Sequence, residues 1–140
     1  MQLKQLAASG VLAIAVVGLS ACGGADYGIA ALERDATSED QLPAFVSDEG
    51  VDVESIRKVA EQDGVSYFIG TWEDREGFCV YSVVVDDFTG GCGTGSENVV
   101  TVSPAPGSDL PHMTLVTDSY SDDDLERDGW SQVHENIMIR

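Results

Sequence analysis

The stretch from Val65 to Gly93, VSYFIGTWEDREGFCVYSVVVDDFTGGCG, decides the fold. Its two apolar runs, VSYFIGTW (65–72) and FCVYSVVVD (78–86), are rich in β-branched and aromatic residues. Such side chains suit a pleated, half-buried surface, and EDREG between them reads as a hairpin loop. A second turn, in DDFTGG, leads on to Cys92. If it is centred on Val85 and Asp86, opposed positions sum to about 171, and Cys79 falls opposite Cys92 on the neighbouring antiparallel strand. Directly opposed residues have Cβ atoms about 4.5–5.5 Å apart, close to the reach of a disulfide.

Upstream, DVESIRKVAEQDG (52–64) carries Val53, Ile56, Val59 and Ala60 at helical spacing. Asp52 suits an N-cap, Glu54 the first turn and Gly64 the stop, so a helix packed on the sheet is expected here. Downstream, NVVTV (98–102) and HMTLVT (112–117) read as strands joined by SPAPGSDLP, whose prolines exclude regular structure. SDDDLERDGW (121–130) has the marks of a short helix: Ser121 as cap, aspartates at the positive end, Arg127 late and Gly129 as terminator. The tail QVHENIMIR alternates Val133, Ile137 and Ile139 as a closing strand. The expected fold class is α+β: an antiparallel sheet of about five strands, one packed helix and a short C-terminal helix.

The amino-terminal segment has a different logic. Lys4 precedes an apolar run from Leu6 to Leu19, and small residues lead to Cys22. This is the pattern of an export signal, and the run is shorter than the roughly 20 apolar residues a membrane-spanning helix needs. Leu19, Ser20, Ala21 and Cys22 resemble the lipobox of bacterial lipoproteins, with Leu at −3, small residues at −2 and −1, and Cys at +1. That resemblance implies a diacylglyceryl group on Cys22, cleavage of residues 1–21, and a mature chain that begins at Cys22. Two acyl chains hold stably at about 0.8 kcal/mol per buried CH₂, so no spanning helix is required. Residues 22–40, small, polar or acidic, then read as a flexible tether with an r.m.s. reach of roughly 20 Å, and residues 41–140 as one globular domain.

Export also places the remaining cysteines in an oxidising compartment, where Cys79 and Cys92 form an even pair and a disulfide is expected. All 25 acidic residues lie after the signal while one of seven basic residues, Lys4, lies within it, so the mature charge is 6 − 25 = −19. Such a field disfavours nucleic acid and anionic lipid as direct partners.

One segment resembles a metal site. Counted as a twelve-residue loop, Asp124–Glu135 puts Asp124, Glu126 and Asp128 at positions 1, 3 and 5, Gly129 at 6 and Glu135 at 12, as in a calcium-binding EF-hand. Against it stand Glu126 in place of a shorter acid, Ser131 at position 8, and a following NIMIR too short and too strand-like for an exiting helix. The glycines around Cys92 have no helix start behind them, His112 and His134 belong to no Cys/His cluster, and neither G-x-S-x-G nor S-x-x-K occurs.

From lipobox through acidic tether, short helix, Cys-bearing hairpin and closing DGW helix-strand, the chain resembles the small uncharacterised lipoproteins of actinobacteria, and this implies a location without an activity. The expectation is therefore a non-catalytic protein, anchored to the extracytoplasmic face of the cell membrane through Cys22, that binds an envelope protein or wall component. No cofactor and no nucleic acid are expected. The alternatives are a module binding calcium or another cation through segment 122–135, and a small extracytoplasmic hydrolase.

Overall fold

The computed structural model describes residues 28–140; the expected export signal, Cys22 and the first residues of the expected tether lie outside that range. The chain is mostly β rather than α+β. Eight strands form two four-stranded antiparallel sheets: β1 (Arg57–Gln62), β2 (Val65–Thr71), β3 (Phe78–Val84) and β4 (Asp87–Gly93) in the order β1-β2-β3-β4, and β5 (Asn98–Val102), β6 (Met113–Val116), β7 (Ser131–His134) and β8 (Ile137–Ile139) in the order β5-β6-β8-β7. β4 lies against β5 and β1 against β7, so the sheets meet along both edges as a flattened, barrel-like sandwich.

The central hairpins follow from the sequence. β3 and β4 pair with Cys79 opposite Cys92 and Val84 opposite Asp87, leaving Val85 and Asp86 as the turn. Period-2 alternation then sorts the side chains. Tyr67, Ile69 and Val80 point between the sheets and join Val99, Met113, Leu115 and Ile137 in the main core. Phe68, Cys79, Tyr81 and Val83 point to the outer face of the first sheet and make a second cluster.

The expected helix at 52–64 is instead a 3-10 turn (Val53–Ser55) followed by β1. Asp63 and Gly64 explain the difference. Both adopt positive φ, 54° and 81°, and they link Gln62 to its partner Val65. Two consecutive left-handed residues make the tight hairpin turn that Asp-Gly favours, so Gly64 turns a hairpin instead of ending a helix. The tail is likewise two strands: Glu135 and Asn136 reverse the chain, and β7 pairs with β8. Among the described residues the one α-helix, α1 (Asp123–Arg127), lies where a short helix is expected, though its N-cap is Asp122 and not Ser121.

The expected tether is shorter than residues 22–40, because the part from Gly28 onward belongs to the folded body. Ile29 and Leu32 are buried in the main core. Asp40, 4% exposed, accepts hydrogen bonds from both terminal nitrogens of Arg34 (2.7 and 2.5 Å), from the backbone and hydroxyl of Thr37 (2.6 and 3.1 Å), and from the Lys58 backbone at the start of β1 (2.7 Å). The Arg34 guanidinium, helped by these backbone donors and opposed by burial, holds the Asp40 carboxyl far below the usual carboxylate range. The chain then crosses the outer face of the first sheet, where Val46, Val51 and Ile56 cover Phe68, Tyr81 and Val83.

Strand direction defines two ends. At one, the entry end, lie the β2–β3 loop, the β4–β5 loop, the segment after β6 and the Glu135–Asn136 turn. At the far end lie the Asp63–Gly64 and Val85–Asp86 turns, the β5–β6 connection and Arg140. Gly28 enters at the first, because its carbonyl accepts a hydrogen bond from Asp118, two residues beyond β6 (2.8 Å).

Candidate binding face

The sequence-derived sites separate once placed on this frame. Cys79 and Cys92 are joined as a disulfide between β3 and β4, with Cys79 fully buried. The loop it closes spans a separation of 13 residues, for which chain entropy predicts about 3 kcal/mol at most. Cys22 lies outside the described residues.

The calcium-loop reading fails on geometry. Asp124 and Glu126 belong to α1, where Asp124 pairs with Arg127, and Asp128 is the C-cap. Strand β7 then carries the chain from the far end to the entry end before Glu135, so Glu135 cannot close a loop around Asp124, Glu126 and Asp128. Among the described residues no group of three or more His, Cys, Asp or Glu side chains is placed to hold a metal ion.

The histidines are also apart. His112, at the far end, shares a hydrogen bond with Ser103 (2.9 Å). His134, at the entry end, accepts the Asn136 backbone N–H at Nδ1 (3.2 Å). Burial lowers its pKa, against the opposing pull of Glu135 and Asp118, so the neutral ring suits its acceptor role. Among the described residues neither histidine is joined by a hydrogen bond to a carboxylate, as the base of a hydrolytic triad would be.

What the fold does present is a divided face. The segment 41–56 crosses the outer side of the first sheet and leaves a hollow on either side. One, about 460 Å³, is lined by Pro43, Phe45, Phe68, Val83 and Val85, with Lys58 as its basic member. Phe45 is 45% exposed, and Val85, at the tip of the β3–β4 turn, is 88% exposed. Exposed apolar side chains gathered on a hollow mark an interaction surface more often than scattered single ones do.

The other hollow, about 340 Å³, is lined by Trp72, Tyr81, Phe88 and Gly90 with Glu49 and Ser47. Its floor has an internal cause. A Cβ on Gly90 would lie 2.3 Å from the Tyr81 ring, so glycine is what lets that ring lie flat on β4. Burial first, and Asp48 second, raise the pKa of the Tyr81 phenol.

The aromatic residues of the β2–β3 hairpin are thus mostly internal: Tyr67, Phe68 and Tyr81 are buried, and Trp72 is half-buried beneath Arg75, whose guanidinium lies 4.4 Å from the ring centroid. Phe45, Val53 and Val85 carry the exposed apolar surface, and Phe45 and Val85 share one hollow. The sequence signal for Val85 is its place in a turn beside two aspartates; Phe45 has no local signal beyond the preceding Pro43. No protein-family model matches the chain, and no curated protein or solved structure is significantly similar to it.

Proposed function

We propose that the protein is a non-catalytic component of a bacterial cell envelope, held to the extracytoplasmic side of the membrane by diacylglyceryl at Cys22, and that it binds an envelope protein or wall component. The observation that carries the reading is the Cys79–Cys92 disulfide, because structural disulfides form and persist in oxidising compartments, to which the Leu19–Cys22 motif would deliver the chain. The outer face of the first sheet, with Phe45 and Val85 exposed on a hollow that Glu39, Lys58 and Asp86 also line, is the surface offered for recognition. The net charge of −18 argues for a protein or neutral wall partner over nucleic acid.

The test is the intact mass of protein extracted from native membranes. A mature chain beginning at Cys22 with a diacylglyceryl thioether is expected. An unmodified Cys22, or a first residue elsewhere, overturns the reading. Capture from envelope extracts should then be lost on the double change Phe45→Asp and Val85→Asp, and capture that survives both changes places recognition elsewhere.

A further inference from the structure

The path of residues 28–32 fixes more than the start of the fold. Ile29 is fully buried, the Gly28 carbonyl accepts the Asp118 N–H (2.8 Å), and the Ala30 N–H donates to the Asp118 carboxylate (2.8 Å). The same carboxylate accepts from the Asn136 side chain (2.7 Å), which also donates to the Val116 carbonyl (3.1 Å), with Asn136 itself fully buried. Gly28 is therefore pinned to the entry end by Asp118 and by Asn136 in the β7–β8 turn. Only residues 23–27 lie between it and Cys22, and the six residue steps from Cys22 to Gly28 span at most roughly 20 Å at full extension.

The geometry points to a restricted stance on the bilayer: the entry end of the sandwich stays near the lipid headgroups, and the far end, with Val85 and one edge of the Phe45 hollow, cannot be set on them. This rests on the acylation of Cys22 proposed above. Length decides it. A strand of seven residues, such as β3, is about 23 Å long, so setting the far end on lipid would lift Gly28 by about that distance even before the turns at either end are added. A leash of roughly 20 Å cannot follow, and pulling it straight would remove all its chain entropy. A tether of nineteen residues, 22–40, would have imposed no such limit.

The entry end carries exposed Glu73, Asp74, Glu76, Glu97, Asp118 and Glu135, together with Arg75 and the half-buried Trp72 beneath it. Acidic residues dominate, so this end offers an anionic lipid surface no net attraction. The stance is enforced by the anchor and is not an adhesive contact. Partners are then met from the side or from the far end.

The test uses the full acylated protein in phosphatidylcholine vesicles that carry a headgroup spin label as quencher. A fluorophore is placed on Ser96→Cys at the entry end or on Val85→Cys at the far end. With Cys79 and Cys92 oxidised and Cys22 acylated, the added thiol is the one available for labelling. Quenching at Ser96→Cys should exceed that at Val85→Cys several-fold. Inserting about twenty Gly/Ser residues after Tyr27 should bring the two together, since a longer leash lets the domain turn over. Equal quenching before the insertion overturns the stance, and a contrast that survives the insertion overturns the leash as its cause. The mass of the same preparation is read first: a missing diacylglyceryl group refutes the anchor and not the geometry.

Discussion

Replacing Asp40 by Ala or Asn tests how the amino-terminal segment is held. Asp40 is 4% exposed and accepts five hydrogen bonds, two from Arg34, two from Thr37 and one from the Lys58 backbone. Removing one partner of a fully buried ion pair costs about 3–5 kcal/mol. Arg34 is 39% exposed and can regain water, which brings the ionic part down. The Thr37 and Lys58 N–H groups lose their acceptor, and buried donors left unpaired cost about 1–3 kcal/mol each. Partial rehydration at the edge of β1 leaves a net loss of about 3 kcal/mol at neutral pH. Asn keeps the shape but turns an N–H₂ group toward donors, so Asp40→Asn should recover only part of that loss. The assay is urea unfolding of a soluble chain beginning at Gly23, where such a loss lowers the midpoint by about 1–3 M. The pH dependence supplies a second reading. The folded carboxyl titrates far below its unfolded value of about 3.9, so its contribution is fully present above that value and is lost as pH falls through the folded one. Wild type and Asp40→Asn should therefore converge in stability below about pH 4. A neutral-pH difference under about 0.5 kcal/mol, or a gap that does not narrow in acid, would refute the reasoning.

The disulfide gives a parallel expectation: joint replacement of Cys79 and Cys92 by Ala should lower unfolding free energy by about 3 kcal/mol, as should reductant on the wild type, and calorimetry with and without reductant checks both. Gly90→Ala drives a methyl group into the Tyr81 ring, for which overpacking predicts a loss of about 1–3 kcal/mol; Tyr81→Leu in the same chain should relieve part of it, read as a positive coupling in denaturant unfolding. Calcium at millimolar concentration should leave the melting temperature unchanged, since the described residues bring no three acidic, His or Cys side chains together; a rise with metal concentration would establish a site the fold does not show.

How much of this was legible in the sequence depends on which signal dominated each segment. The two central hairpins, β5 and β6 were readable because β-branched runs and turn residues agree there, and the Cys79–Cys92 register follows from counting back from the turn. Residues 52–64 were not, because Val53, Ile56, Val59 and Ala60 satisfy a helical period while Asp63-Gly64 specifies a two-residue hairpin. The turn decides, since β1 gains a full antiparallel partner in β2. In the tail, Ile137 and Ile139 gave the strand alternation correctly, but Glu135-Asn136 carries no glycine to announce a reversal. The segment 28–40 looked like linker because its buried residues are sparse: Ile29 and Leu32 supply the apolar contact, and Asp40 acts through hydrogen bonds that only the position of β1 reveals. The acidic site failed for the opposite reason. Its spacing in sequence was good, but β7 separates Glu135 from the other carboxylates by about 13 Å.

The amino-terminal segment therefore ties together two properties that composition alone would treat separately. Residues 41–56 cover the apolar outer face of the first sheet, and residues 28–40 fasten that cover to the body through Asp118 on one side and Asp40 on the other. Under the proposed acylation of Cys22, any pull on the anchor would be delivered at Gly28, where Asp118, Asn136 and the buried Ile29 receive it before it reaches the cover. The charge of a chain beginning at Cys22, 6 − 25 = −19, would oppose approach to an anionic bilayer. At physiological ionic strength that repulsion fades beyond about 8 Å, less than half the full reach of residues 22–27. With Cys22 acylated as proposed, the leash would be long enough to let the acidic entry end stand outside the screened layer and too short to let the domain invert. Acidity and anchoring would then act in one direction, holding the exposed Val85 turn away from the lipid.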